Sequence, residues 1–234
     1  MRATSPVRAL RALLICAATT LVTMLPASAL PSFSGSLSTP VQLAGSGVWA
    51  TGSTLSWVVT DNEDGTWRYS YNLVVPQGGV SHFIVEASPT FTLDDILNPE
   101  GPYNLGPYVD TFASGPGNPG MPGSIYGIKF DDTSGTNAMF SFDSPRMPVW
   151  GDFYAKDGNA GGMGVNYVYN AGFTNPDYDP NVPISDGSVD NHILVPDTKM
   201  TNNVVPEAQT IVLASLGLLP VAAVGRGLRR ARRV

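Results

Sequence analysis

The stretch "TLSWVVTDNEDGTWRYSYNLVV", residues 54–75, decides the fold of this chain. Large apolar side chains recur at every second position on both sides of a polar centre, which is the period of a half-buried β-strand. The centre contains Asp64-Gly65, a pair that favours tight hairpin turns. We therefore predict a β-hairpin over residues 54–75. Its predicted inward face carries Leu55, Trp57, Val59, Trp67, Tyr69, Tyr71, Leu73 and Val75.

Further short strands are predicted where apolar runs are bounded by Pro, Gly, Asn and Asp. They cover residues 80–86, 124–130, 137–142, 149–155 and 165–170. Residues 93–97 predict one helical turn, and the proline- and glycine-rich residues 98–123 predict a long surface loop. Many short strands separated by turns are typical of an antiparallel β-sandwich or jelly-roll, so the predicted fold class is mainly β.

The N-terminus has the pattern of a secretory signal peptide. Arg2, Arg8 and Arg11 precede a nearly continuous apolar run over residues 13–25, and the small residues Ala27-Ser28-Ala29 follow. This pattern predicts a signal helix in residues 1–29 that is cleaved after Ala29, with Ala27 and Ala29 read by signal peptidase. The predicted partners are the secretion translocon and signal peptidase. A retained membrane helix is the alternative, and the run is shorter than the ~20 residues that a bilayer requires.

The single cysteine, Cys16, lies inside the apolar run of this predicted signal. After cleavage the chain would contain no cysteine, which excludes disulfides and cysteine-based zinc sites or nucleophiles. An exported domain of this kind must depend on an ordinary packed core.

The C-terminus predicts a short membrane helix held from the cytoplasmic side. Residues 211–224 are apolar or small almost throughout. As a helix they would span ~21 Å, less than the ~30 Å of a bilayer core. Positive residues beside an apolar segment stay in the cytoplasm. Those that follow here are Arg226, Arg229, Arg230, Arg232 and Arg233.

Residues 205–234 resemble the PEP-CTERM sorting domain, in which a Pro-Glu motif, a short apolar helix and an arginine cluster end the chain. The motif reads Val205-Pro206-Glu207, and Ala208 stands where the family usually has proline. The resemblance implies processing near Pro206-Glu207 by an exosortase, a membrane transpeptidase. It also implies a bacterium with an outer membrane and an exopolysaccharide matrix. A plain C-terminal anchor that is never cut is the alternative.

Between the two ends, residues 30–197 predict a single β-sandwich ectodomain, and residues 198–204 a polar connector to the tail. The whole chain has a net charge of −6, but eight of its thirteen basic residues lie in the signal and the tail. Residues 30–206 keep five basic residues against eighteen acidic ones, a net charge of −13. This charge argues against nucleic acid as a partner and favours divalent cations.

The candidate metal ligands are acidic residues in "NPDYDPNVPISDGSVDN", residues 175–191. Calcium binds six to eight oxygen atoms in flexible geometry. The candidates here are Asp177, Asp179, Asp186 and Asp190. The alternative is that these residues only form turns. No other cofactor is predicted.

No nucleophile elbow, phosphate loop or dinucleotide motif occurs in the sequence, so no catalytic residue is predicted. The two histidines, His82 and His192, are predicted to be hydrogen-bonded structural residues near strand edges. Trp150 and Tyr154 are candidates for stacking on sugar rings, although aromatic residues in strands are more often buried.

These observations predict an exported, non-enzymatic protein of the cell surface or extracellular matrix, with a structural or adhesive role and exopolysaccharide as a candidate partner. The predicted route is transient anchoring in the inner membrane, with the C-terminus cytoplasmic, followed by exosortase cleavage. The alternative function is a carbohydrate-active enzyme on a jelly-roll scaffold, because two of eighteen carboxylates could act as a glycosidase pair. Permanent anchoring at the membrane is a third interpretation.

Overall fold

The computed structural model of the protein describes residues 30–158, 165–173 and 179–196. Within these residues the chain forms thirteen strands and two 3-10 helices, Gly47–Ala50 and Leu93–Asp95. The strands are β1 (Ser32–Ser38), β2 (Leu43–Gly45), β3 (Thr54–Asp61), β4 (Trp67–Val74), β5 (Val80–Glu86), β6 (Leu97–Glu100), β7 (Tyr103–Phe112), β8 (Ile125–Thr133), β9 (Asn137–Ser144), β10 (Pro148–Gly151), β11 (Phe153–Asp157), β12 (Tyr167–Asn170) and β13 (Ile193–Pro196).

The strands form two large sheets and one small one, and every pairing is antiparallel. The five-stranded sheet has the order β1-β3-β4-β9-β6, and the six-stranded sheet has the order β2-β12-β11-β5-β8-β7. Strands β10 and β13 form a separate pair. The prediction of a mainly β protein with antiparallel sheets is confirmed.

The predicted hairpin is present as β3 and β4, which pair without a register shift from Thr54↔Val74 to Asp61↔Trp67. Side chains at alternate positions of both strands are buried, because each strand turns one face to the core. The Asp-Gly turn places Gly65 at φ +88°, a conformation that glycine adopts without the cost of a Cβ atom. The predicted strand at 80–86 and the helical turn within 93–97 are also present.

The inner faces of the two large sheets pack against one another through aromatic rings. Phe83 of the six-stranded sheet lies 4.8 Å from Phe140 and 5.6 Å from Tyr71 of the five-stranded sheet, centroid to centroid. Phe130 also contacts Phe140, at 5.1 Å. These spacings fit the offset and tilted arrangements that aromatic pairs prefer, so one continuous core joins the two sheets.

A second, smaller cluster covers the outer face of the six-stranded sheet. It includes Ile84, which points away from the core that its neighbours Phe83 and Val85 enter. The hydroxyl of Tyr154 in this cluster donates a 2.8 Å hydrogen bond to the carbonyl oxygen of Pro119. The chain after β7 therefore folds back over this face, and β5 is buried on both sides. Double burial explains why three apolar residues, Phe83, Ile84 and Val85, follow one another in β5 instead of alternating with polar ones.

The prediction of a surface loop over residues 98–123 is wrong for its first half, which contains β7 and most of β6. Strand β7 lies at the edge of its sheet and exposes most of its side chains, so it has no strong apolar alternation. A register shift between Leu105 and Tyr108 accommodates Pro107, which an edge strand tolerates. The predicted strand at 149–155 is also two strands, because it is interrupted at Asp152.

The predicted signal peptide, connector and sorting tail, residues 1–29 and 198–234, lie outside the described residues. Among the residues that are described, no helix is both long enough and apolar enough to cross a membrane.

Candidate metal centre

Three side chains that could hold a metal ion converge beside the junction between β10 and β11. They are Asp152, Asp179 and His192, and their ligand atoms all lie within 4.8 Å of one another. Nε2 of His192 lies 3.5 Å from a carboxylate oxygen of Asp152 and 3.9 Å from one of Asp179. In the parts of the chain that the structure describes, this is the one such group of three.

Asp152 is held in place by contacts from three directions. Its backbone N–H donates a 2.7 Å hydrogen bond to the carboxylate of Glu86, and its carbonyl accepts from the N–H of Glu86 at 2.9 Å. The side-chain amide of Asn170 donates to Oδ1 of Asp152. The side-chain carbonyl oxygen of Asn170 accepts a 3.0 Å hydrogen bond from the backbone N–H of Phe153. The carboxylate of Asp152 is therefore fixed in orientation although the residue is buried.

His192 follows a tight turn that begins at Val189. The two central residues, Asp190 and Asn191, have φ of 48° and 62°, the left-handed values of a type I′ turn. The N–H of His192 donates to the carbonyl of Val189 at 2.8 Å, and Nδ1 of the ring lies 3.2 Å from the same oxygen. A carbonyl oxygen only accepts, so Nδ1 carries a proton and Nε2 faces the carboxylates.

Gly172 allows the imidazole of His192 to lie where it does. A Cβ atom at position 172 would lie 2.6 Å from Cε1 and 2.8 Å from Nδ1 of the ring, which is closer than real contacts allow. Two members of the group are buried, while the side chain of Asp179 is 39% exposed. The group therefore has one member in contact with solvent and two in the protein interior.

The predicted calcium ligands do not form one cluster among the described residues. Asp177 lies outside them, and Asp179 belongs to the group above. Asp186 accepts the N–H of Ser34 at 2.8 Å, at the edge strand β1, and Asp190 forms the turn before His192. For Asp186 and Asp190 the structure agrees with the interpretation that they shape turns and edges.

Sequence reasoning missed two of the three members of the group. Asp152 lies between two strands with no neighbouring acid, and His192 is far from it along the chain. No local spacing links them, because the pairing of β10 with β13 is what brings them together. The proximity of Asp152 to His192 follows from the pairing of β10 with β13, which the sequence alone does not reveal.

The prediction that Trp150 and Tyr154 stack on sugar rings is wrong. Trp150 is 2% exposed and its indole N–H points to the carbonyl of Pro183 at 3.4 Å. Tyr154 is 0% exposed and lies in the smaller apolar cluster. A ring must present a free face to stack on a sugar, and both rings are covered by protein.

The second histidine, His82, lies in a different environment on the outer side of the six-stranded sheet. It is buried next to Tyr154, with Nδ1 3.9 Å from a carboxylate oxygen of Asp131. Burial lowers the pKa of His82, and with the positive charges of Lys129 and Lys156 it brings the pKa to about 3. His82 is therefore neutral near pH 7, and the structural role assigned to it from the sequence stays a prediction.

The residues assigned to processing lie outside the described ranges, so their roles stay predictions. They are Ala27, Ala29, Val205, Pro206, Glu207, Arg226, Arg229, Arg230, Arg232 and Arg233.

No protein-family model, curated protein or solved structure matches this chain.

Proposed function

We propose that this chain is an exported, non-enzymatic protein that an exosortase releases to the cell surface or extracellular matrix. The observation that carries the proposal is the three-part C-terminus, residues 205–234, which occurs together with a secretory signal in residues 1–29. A short apolar segment followed by arginines retains the chain at the inner membrane with its C-terminus in the cytoplasm. Cleavage near Pro206-Glu207 then frees the ectodomain.

The positions of the strands support this processing scheme. Strand β1 begins at Ser32, three residues after Ala29, and β13 ends at Pro196, ten residues before Pro206. Cleavage after Ala29 and near Pro206-Glu207 would therefore leave every described strand intact. Strand β1 needs to be preserved, because it pairs with β3 from Ser32↔Thr60 to Ser38↔Thr54.

We assign the ectodomain to the β-sandwich class, with a jelly-roll-like arrangement of strands. Two antiparallel sheets with a shared apolar core support this assignment. A compact sandwich without disulfides suits an exported chain whose single cysteine, Cys16, is lost with the signal. The net charge of −13 over residues 30–206 favours solubility outside the cell.

The proposed partners are the translocon, signal peptidase and exosortase during export, and exopolysaccharide afterwards. Because Trp150 and Tyr154 are buried, the polysaccharide partner is supported by the family resemblance and not by a stacking surface. The acidic segment around residues 177–190 contributes Asp179 to a group of convergent metal ligands, whereas Asp186 accepts a backbone N–H and Asp190 lies in a turn.

The proposal is tested by comparing the native chain with a variant in which the five C-terminal arginines become glutamine. In an exosortase-positive host we expect the native protein outside the cell and shortened at its C-terminus. The variant should lose retention at the inner membrane and keep its full C-terminus. Replacement of the ectodomain cation Lys156 by glutamine is the matched control and should be processed normally. Equal processing of the arginine variant and the native chain would contradict the proposal.

A second experiment separates a structural role from the enzymatic alternative. The released protein is applied to a glycan array and incubated with the same glycans in a reducing-sugar assay. We expect binding without turnover. Release of reducing sugar would contradict a non-enzymatic role and would favour the carbohydrate-active enzyme.

A further inference from the structure

We propose that Asp152, Asp179 and His192 bind a divalent transition-metal ion, with Zn²⁺ as its representative, and that this ion fastens the segment 179–196 to the body of the ectodomain. The site is independent of the export route. Its role would be structural, because the three ligands come from separate parts of the chain and two of them are buried.

The first support is the charge of the group. Two carboxylates and one imidazole carry a net charge of −1 even when the imidazole is protonated. Asp152 and His192 are 0% and 3% exposed, and charged side chains at such positions are paired or coordinate a metal ion. The amide of Asn170 orients the carboxylate of Asp152 but adds no positive charge. A divalent cation would balance both carboxylates and leave the imidazole neutral.

The second support is the orientation of the imidazole. Nδ1 of His192 faces the carbonyl oxygen of Val189 at 3.2 Å, which fixes the proton on Nδ1. A neutral ring then presents the lone pair of Nε2 to the two carboxylates. A ring nitrogen whose partner nitrogen donates to a carbonyl is the usual arrangement of a metal-binding histidine.

The third support is the spacing of the ligand atoms. A tetrahedral ion with bonds of ~2.0–2.1 Å places its ligands roughly 3.4 Å apart. Nε2 of His192 is 3.5 Å from Asp152 and 3.9 Å from Asp179, so small side-chain movements would complete the geometry. Asp179 has the freedom to move because its side chain is partly exposed.

The donor atoms favour a transition metal over the predicted calcium. Calcium takes six to eight oxygen ligands, whereas imidazole nitrogen suits zinc, copper, iron and nickel. One imidazole nitrogen and two carboxylates would supply three of the four ligands of a tetrahedral zinc ion, and a water molecule would supply the fourth. Of the four predicted calcium ligands, only Asp179 is a member of this group among the described residues.

The ion would connect two elements whose strands pair over only four residues each. Asp152 belongs to the β10–β11 junction, and His192 immediately precedes β13. Strand β13 is short, and among the described strands it pairs only with β10, through four residue pairs from Pro148↔Pro196 to Gly151↔Ile193. A bridge between Asp152 and His192 would therefore hold both strands of this pair at the same end.

The competing explanation is an ion pair between protonated His192 and Asp152, with no metal. The two explanations differ in their response to metal and to chelators. With an ion pair, the melting temperature would not change when metal or a chelator is added. With a metal site, the melting temperature depends on the metal concentration.

The test uses the full chain, purified without a polyhistidine tag, stripped with a chelator and titrated with Zn²⁺, Mn²⁺ and Ca²⁺ by calorimetry and thermal unfolding. We expect one Zn²⁺ per chain and a rise in melting temperature of roughly 5–10 °C at a hundredfold excess over Kd. Ca²⁺ should bind at least about tenfold more weakly.

Asp179→Asn is the main variant, because a partly exposed position can lose its charge without disturbing the core. It should weaken Zn²⁺ binding by about tenfold or more. Asp186→Asn is the matched control, since its remaining oxygen can still accept the N–H of Ser34, and its Zn²⁺ affinity should equal that of the native chain. Absence of saturable Zn²⁺ binding, equal binding by Asp179→Asn, or tighter binding of Ca²⁺ than of Zn²⁺ would each overturn the proposal.

Discussion

The hydroxyl of Tyr71 in β4 donates a 2.9 Å hydrogen bond to the carbonyl oxygen of Leu194 in β13, and both residues are fully buried. The bond crosses from the five-stranded sheet to the small β10–β13 pair. Burial raises the pKa of Tyr71 well above its usual value, so the hydroxyl stays protonated and remains a donor at any physiological pH. This contact ties β13 to the five-stranded sheet.

Replacing Tyr71 by phenylalanine should lower the free energy of unfolding by about 1–3 kcal/mol, because it leaves a buried carbonyl without this donor. Urea unfolding followed by tryptophan fluorescence measures the change. Tyr108→Phe is the control, since Tyr108 is exposed on β7, and it should change the free energy by less than ~0.5 kcal/mol. Equal effects of the two variants would show that the buried bond contributes nothing.

Gly35 in β1 is predicted to tolerate no side chain. A Cβ atom there would lie 2.1 Å from the ring of Trp57 and 2.5 Å from the carbonyl oxygen of Gly187. Gly35→Ala should therefore destabilise the protein by about 1–3 kcal/mol through overpacking. Gly117→Ala, where no atom lies within 4 Å, is the matched control. Thermal unfolding of both variants checks the prediction, which fails if Gly35→Ala is as stable as the control.

Stability should fall with pH below about 6.5 because of His82. In the folded protein burial and two lysines hold its pKa at about 3, whereas an unfolded histidine has a pKa of ~6.5. Between these values the unfolded chain binds the extra proton. The stabilisation is thus complete above about pH 6.5 and is lost as the pH falls toward 3. Between pH 7 and pH 5 the loss should be on the order of 2 kcal/mol.

Urea unfolding at pH 7 and pH 5 measures this loss, and His82→Gln serves as the variant that does not titrate. The variant should lose less stability than the native chain over the same pH interval. The nearby carboxylate of Asp131 does not explain the difference, because its pKa is lowered from 3.8 and its titration lies below the interval. A variant with the full pH dependence of the native chain would contradict the assignment to His82.

The edge strand β6 should depend on Arg68 more than on Glu100. The guanidinium of Arg68 lies 2.9 Å from Glu100 of β6 and 3.3 Å from Asp143 of β9. Asp143 is mostly buried, so Arg68→Met should cost about 1–2 kcal/mol. Glu100 is 71% exposed, and exposed pairs contribute less than ~1 kcal/mol, so Glu100→Gln should have the smaller effect. Chemical unfolding ranks the two, and the reverse order would contradict this account.

The sequence predicts best those strands that have one face on the core. In β4 the alternation of Tyr69, Tyr71 and Leu73 with polar residues reports burial directly. Strand β1 was not predicted because most of its residues are serines or Gly35, which give no apolar pattern. It nevertheless pairs with β3 along its whole length. Strand β7 was not predicted because it is an edge strand. Most of its side chains are exposed, so its sequence has no apolar alternation.

The candidate metal centre could not be predicted for a different reason. Its three members are separated along the chain, and each taken alone is typical of a turn or of a structural histidine. Only the antiparallel pairing of β10 with β13 and the turn at Asp190-Asn191 bring His192 to Asp152. Sheet pairing between distant strands is tertiary information that local patterns do not contain.

The intact mass of the protein recovered from growing cells tests the central proposal of export and sorting most directly. The proposal predicts a species outside the cytoplasm that begins at Leu30 and has lost the chain beyond the Pro206-Glu207 region. A protein found in the cytosol with residues 1–29 still attached would contradict it.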